Sequence, residues 1–417
     1  MHIFIRELFG ICRSLTGPGT RETLRRIQLL LPGMHLHEVP SGTEVFDWTV
    51  PDEWTIRSAR LVGPAGETIV DFTNNNLHVL GYSIPVDKEI SLEDLQEHLY
   101  SLPEQPDAIP YITSYYSPRW GFCLTHRQRE ALRPGTYRAV IDTDIAPGHL
   151  TYGELLIPGA NEKEILLSTY VCHPSMANNE LSGPAVTTFL GKWLLEQPKL
   201  RYSYRIVFIP ETIGSITYLS KNLDHLKRHV IAGFNISCVG DNRAYSYLPS
   251  RRQDTISDTI AKHVLKWIEP NYITYNWGDR GSDERQYCAP GIDLPIASIM
   301  RTKYGEYPEY HTSLDDFKVV TLKGLSGGYN VAKNAIKILL DNIYPVSKIL
   351  CEPQMGKRGL YPTLSVKSKR KKTKTYMDFL QYSDGSNSLN KISKLINLDI
   401  KSTKKIYKIL GKNKLLN

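Results

Sequence analysis

Between about residue 160 and residue 345 the chain alternates short, β-branched apolar runs with longer amphipathic ones. EILLSTYV, YSYRIVFIP, VIAGFNISCVG and LPIASIMRT read as buried strands. GPAVTTFLGKWLLEQ, SITYLSKNLDHLKR, TISDTIAKHVLKWIE and LKGLSGGYNVAKNAIKILLDNI read as the helices that follow them. Strands joined through helices run parallel, so the expected class is α/β: a mostly parallel sheet covered by helices on both faces. Such sheets bind ligands at the carboxyl ends of their strands.

The flanks have different textures, and 417 residues are long for one domain. Residues 1 to about 45 read as helical, with Leu24, Ile27 and Leu31 on one face before Pro32-Gly33 stops the run. From about 46 to 155 come short runs punctuated by Pro and Gly, among them EVFDWTVPDEWTI, SARLVGPAGETIVDF, GTYRAVIDTDI and HLTYGELLIPG. They imply a small β-rich module. The expected organisation is an α/β core from residues 1–45 and 156–350, a β-rich insertion at 46–155, and a basic linker with a small helical domain at 351–417.

Charge separates the tail from the rest. Met355 to Asn417 holds 16 Lys and Arg against 3 Asp and Glu, or +13, so with a total of +8 the remaining residues sum to −5. After the run VKSKRKKTKT, three short helices are expected, with Ile392, Leu395, Ile396, Ile400, Ile406, Ile409 and Leu410 spaced as in a helix-turn-helix bundle. The third helix offers mostly Lys where base reading favours Arg, Asn and Gln. Protein contact or homo-oligomerisation is therefore expected ahead of nucleic acid, and no nucleic-acid-reading residue stands out. No apolar run reaches the ~18 residues of a membrane span. The N-terminus reads as an amphipathic helix, not a signal peptide. Six cysteines without a CxxC pair fit free thiols in a reducing cytoplasm.

Chemistry-bearing residues gather just beyond the expected strand ends. His173 and Glu180 follow the first, Glu211 the second and Asp241 the third, and His311 lies beyond the fourth. Imidazoles and carboxylates converging at one sheet edge suit a hydrolytic metal site, with a further carboxylate to take a proton from water. Each residue also has a plain reading: Asn178 or Asn179 as a helix cap, Glu180 as a first-turn acid, His311 as a turn residue. Arg243, Tyr245 and Tyr247 fall near the third strand end. Tyr115, Tyr116, Arg119 and Trp120 of the module either close over the cleft or form the module's own core. Cys172 reads as a small core residue and not a nucleophile.

HPSMANNELSG, FIPETIGS, FNISCVGD and EYHTSLDDF, in that order and spacing, resemble the co-catalytic zinc aminopeptidases. Closer still is the resemblance to a bacterial aminopeptidase-like family of unknown function, which also covers GSDERQY, DNRAYSYLPSR and CEPQMGKRGLYPTLS. It implies a sheet of the zinc-exopeptidase type, an inserted β domain and a C-terminal winged helix. It also places Ser282-Asp283 and Arg285 in the substrate cleft. Against the two-zinc pattern, Asn179 stands for a bridging aspartate, Thr212 for a glutamate ligand and Ser237 for an aspartate ligand. One zinc on His173, Glu180 and His311 is then expected, with Glu211 as general base on an activated water. Asp241, Asn179, Asp283, Arg285 and Arg243 are the expected substrate contacts. The expected activity is cleavage of peptide or other amide bonds. The alternative is a degenerate peptidase core that binds a ligand without turnover and engages DNA or a partner through its tail.

Overall fold

The structure, a computed structural model, describes residues 1–341, 343–361, 367–385 and 387–416. It divides into two compact units, Met1–Ala335 and Ile336–Asn417.

An eight-stranded sheet organises the first unit. In spatial order its strands are His35–Pro40, His149–Ile157, Ser203–Ile209, Glu164–Tyr170, Val230–Asn235, Ile296–Met300, Ser246–Leu248 and Ile273–Thr274. The four central strands pair in parallel, as the strand–helix alternation requires. Antiparallel pairings flank them: His149–Ile157 on Ser203–Ile209, His35–Pro40 beyond it, and Ser246–Leu248 on Ile296–Met300. The sheet is therefore mixed, with a parallel centre.

Two expectations are corrected here. HLTYGELLIPG, read with the β module, supplies the strand His149–Ile157 of the large sheet. Within the stretch read as helical, His35–Pro40 is a strand, because His149–Ile157 offers it an unpaired edge six residues long. The helical part is as expected. Pro18–Leu30 is a helix with Pro at its first position, and Leu24, Ile27 and Leu31 are fully buried, worth ~1.5–3 kcal/mol each.

Between these strands lies the β module, a four-stranded antiparallel sheet of Thr68–Asp71, Glu53–Val62, Thr136–Ala146 and Val86–Ser91. Its core includes Leu61, Ile141, Phe122 and Trp120, and Trp120 stacks on His98 with ring centroids 3.6 Å apart. Trp120 is thus a packing residue of the module.

The helix Ser182–Leu195 lies against the strand ends so closely that a Cβ on Gly183 would sit 2.5 Å from the Ile236 carbonyl and from Thr169 Oγ1. That contact requires the glycine of ELSG. A π-helical turn, Ala177–Leu181, precedes this helix. Such turns recur at functional sites.

The second unit carries the helices Lys367–Gln381, Leu389–Leu395 and Ile400–Lys412, the last two capped by Ser388 and Asp399. Ile392, Ile406 and Leu410 join Phe379, Leu389 and Leu415 in its core, whereas Leu395 is exposed. The basic run, read as a linker, begins this first helix. The side chains of 367–372, and residues 362–366 in and after CEPQMGKRGLYPTLS, lie outside the described residues. Among the described residues no helix is long and apolar enough to cross a membrane. All six cysteines are free.

Candidate active site

The strand Glu164–Tyr170 runs straight into Cys172 and His173, and the π-turn that follows folds Glu180 back under the imidazole. Glu180 is wholly buried, and both its oxygens are engaged. Oε1 accepts from the Cys172 amide at 3.0 Å and lies 3.1 Å from Arg13 Nε. Oε2 accepts from the His173 amide and from His173 Nδ1, each at 3.0 Å. Arg13, equally buried, also donates to the carbonyls of Leu8 and His173 at 2.8 Å. Glu180 therefore fixes which His173 nitrogen carries the proton, leaving Nε2 free to donate its lone pair outward. Burial opposes charging His173, and the Glu180 hydrogen bond and charge outweigh it, so its pKa is raised.

His173 Nε2 faces Glu211 Oε2 at 3.8 Å, and the His173 and His311 ring centroids are 5.5 Å apart. His311 adopts a left-handed backbone, φ 56°. Its carbonyl accepts from the Tyr111 amide at 2.8 Å, and its ring stacks on Tyr310 with centroids 3.9 Å apart. Tyr111 comes from the segment before the β module's last strand and packs edge-on against both imidazoles, at 5.3 and 5.1 Å. Burial, with His173 nearby, lowers the His311 pKa to about 3, and its Nε2 is a buried atom with no hydrogen-bond partner.

Glu211 follows the strand Ser203–Ile209 and opens a tight turn. The Ile213 amide donates to the Glu211 carbonyl at 2.8 Å, and Thr212 between them has φ 63° and ψ −78°. This is a strained γ-turn, of order 1–3 kcal/mol, beside the candidate base. The loop Ser282–Arg285 grips it. Ser282 Oγ donates to Glu211 Oε1 at 2.7 Å, Asp283 Oδ1 accepts from the Thr212 amide at 2.8 Å, and Arg285 Nη2 donates to Thr212 Oγ1 at 2.6 Å. Burial raises the pKa of Glu211, against the pull of His173, Ser282 and Arg285, and burial with the Glu211 charge raises that of Asp283 to about 8.

The remaining sequence candidates are placed as follows. Asn179 is buried, donates to the Tyr170 hydroxyl at 3.0 Å and leaves Oδ1 without a partner. Neither Asn178 nor Asn179 caps the helix by its side chain. Asp315, from 136 or more residues away, accepts from both their amides at 2.7 and 2.8 Å. Asp241 is buried and committed to the Thr302 amide and hydroxyl, at 2.8 and 2.6 Å, and to the Arg243 amide. Arg243 forms an outward two-pronged pair with Glu309, both contacts 2.7 Å. Neither is brought to the His173–His311–Glu211 group by any contact. Sequence reasoning did not single out Arg13, Tyr111 or Asp315. Asp315 stands in the quoted EYHTSLDDF, but nothing local tells it from Asp316.

Which atoms fit a metal follows from what is free. Cys172, His173 and Glu180 bring ligand atoms within 4.8 Å of one another. A cation there would face the Arg13 guanidinium, and Glu180 has four donors already, so that cluster fits poorly. The open side is better suited. His173 Nε2 and the unpartnered His311 Nε2 are neutral donors on rings whose centroids are 5.5 Å apart, and Glu211 Oε2 is the nearby carboxylate oxygen, 3.8 Å from His173 Nε2. Such a set fits one zinc ion and not two, because the anionic bridge a pair needs is absent. Glu180, expected among the ligands, is placed as the partner of His173 instead.

Sheet topology and site together define an aminopeptidase-like α/β core with a helical C-terminal unit. The fold is that of the zinc aminopeptidases: the zinc aminopeptidase from Bacillus subtilis superposes with a TM-score of 0.59 at 12% identity, covering 80% of this chain and 93% of that one. A Clostridium acetobutylicum protein named for polysaccharide biosynthesis with an aminopeptidase-like domain is 45% identical over 387 residues, 92% of this chain and 88% of its own. A crystal structure from the same organism, described as a candidate peptidase, matches with a TM-score of 0.84 at 42% identity, over 100% of this chain and 95% of that one. Residues 2–342 match the family described as Domain of unknown function (DUF4910), and residues 342–417 match the winged helix-turn-helix model. The chain belongs to that DUF4910 family, and its second unit is a winged helix-turn-helix.

Proposed function

We propose that this protein hydrolyses peptide or related amide bonds in a reducing compartment, with Glu211 as the general base and His173 and His311 holding one zinc ion. The observation that carries the reading is the geometry at His173. Glu180 binds one ring nitrogen, and the other faces the Glu211 carboxylate at 3.8 Å, close enough for one water or substrate atom lying beside the pair to contact both. Zinc bound there supplies Lewis acidity that polarises a carbonyl and acidifies a water. Glu211, oriented by Ser282 Oγ, takes the proton of the attacking water and delivers it to the departing nitrogen. Tyr111 and Tyr310 wall the two imidazoles and exclude bulk water.

Metal analysis together with turnover tests this. Glu211→Gln is expected to lower amide cleavage by about 10²–10⁴-fold while zinc content stays near that of the wild type. His311→Ala is expected to lose the zinc. Zinc bound equally well by His311→Ala, or full activity in Glu211→Gln, would defeat the reading. One feature favours the alternative of a binding protein without turnover: Asn179, Thr212 and Ser237 are all neutral where the resemblance expects acids. Under that reading wild type and Glu211→Gln bind the same ligands and neither cleaves them.

A further inference from the structure

Several partly or fully buried arginines of this unit are held by carboxylates. Arg13 sits on Glu180, Arg205 on Glu154 and Glu164, Arg243 on Glu309 and Arg251 on Asp293. Half-buried Arg285 has no carboxylate oxygen within 4.0 Å among the described residues; buried Arg301 has none either, but it lies over the Tyr245 ring at 3.7 Å. The one hydrogen bond of Arg285 runs from Nη2 to Thr212 Oγ1, its Nε is buried without a partner, and Nη1 has none either. A half-buried guanidinium with open donors lacks an acceptor, and its fork suits a carboxylate gripped by two parallel N–H groups. The neighbours fix where that acceptor must sit. Thr212 adjoins Glu211, and the Arg285 charge acts on the Glu211 carboxylate, so the fork lies in the neighbourhood of the candidate base.

We propose that Arg285 binds the carboxylate of the leaving amino acid, so that the substrates are N-acyl amino acids or dipeptides with a free C-terminus. This rests on the amide-hydrolase reading and narrows it. In such a molecule the carboxylate carbon is two bonds beyond the amide nitrogen, a separation that lets one small molecule span Glu211 and Arg285. Water adds its hydroxyl to the acyl carbon, the carbon–nitrogen bond breaks, and the water's proton passes through Glu211 to the nitrogen. The products are a carboxylic acid and a free amino acid, with no oxidant or second substrate.

Calorimetric titration of the full chain with N-acetylglycine and with N-acetylglycinamide, which differ only in the charged end, tests the assignment. Wild type is expected to bind the acid about tenfold more tightly than the amide. Arg285→Gln is expected to shrink that gap below about twofold, and Arg285→Lys to leave an intermediate one. Thermal melting of both variants controls for folding. Equal binding of acid and amide by wild type, no binding of either, or a gap that survives Arg285→Gln would overturn the proposal. Glu211→Gln separates it from the hydrolase reading: that variant keeps the gap whether or not the wild type turns over, so failure of cleavage alone leaves Arg285 standing.

Discussion

Arg13→Met is the most informative perturbation of the site, because it acts on the base of His173 without touching the cleft. Arg13 and Glu180 are both inaccessible to solvent and 3.1 Å apart. Removing the guanidinium deprives Glu180 of one of its four donors and leaves the Leu8 and His173 carbonyls short of theirs. Breaking a buried pair by deleting one partner costs about 3–5 kcal/mol. Two backbone amides and His173 Nδ1 still serve Glu180, which puts the expected loss near the lower end, about 3 kcal/mol. Glu180→Gln, which strands the guanidinium instead, is expected to cost about 4 kcal/mol. Because each single change strands a charge that the other would remove, the double variant is expected to lose about 2 kcal/mol less than the sum. All six tryptophans lie in the first unit, at positions 48, 54, 120, 193, 267 and 277, so urea unfolding followed by tryptophan fluorescence reports this unit alone. A loss below about 1 kcal/mol for Arg13→Met, or strict additivity in the double variant, would refute the reasoning.

Other expectations follow from neighbouring contacts. Burial lifts Asp315 from its ordinary 3.8 to about 7 against the pull of the Asn178 and Asn179 amides. Between those values the native state keeps a proton the unfolded chain has lost, so this group lowers stability as pH rises from about 4 to 7, by up to ~1.4 kcal/mol per unit. Asp315→Asn should remove that slope in denaturation curves at several pH values. At Thr212 both Ala and Gly lose the hydroxyl, but only Ala keeps a Cβ at φ 63°, so Thr212→Gly should be more stable than Thr212→Ala by about 1 kcal/mol in urea melts. Arg243→Ala, which breaks an outward pair with Glu309, should change stability by less than about 1 kcal/mol and leave amide turnover unchanged.

Much of this protein is written locally. The alternation of apolar runs and amphipathic segments is enough to give the parallel centre of the sheet, because a strand followed by a helix has to return in the same direction. Leu24, Ile27 and Leu31 show which helix face is buried, and Ile392, Ile406 and Leu410 do the same in the winged helix. His173, Glu211 and His311 could be singled out because strand ends are where such a sheet delivers its polar groups. Partners distant in the chain could not be read this way. Arg13 reads as one charge on an amphipathic N-terminus, and only folding brings it 3.1 Å from Glu180 and turns that acid from an expected ligand into the partner of His173. Tyr111 meets both imidazoles because the β module packs its edge onto the loop carrying His311, a contact spanning some 200 residues of chain. The edge strand His35–Pro40 is a strand because His149–Ile157, itself paired with Ser203–Ile209 on its other side, offers it backbone hydrogen bonds. Local pattern fixes a segment's shape and inward face, whereas the state of a buried charge depends on which distant group folding sets against it.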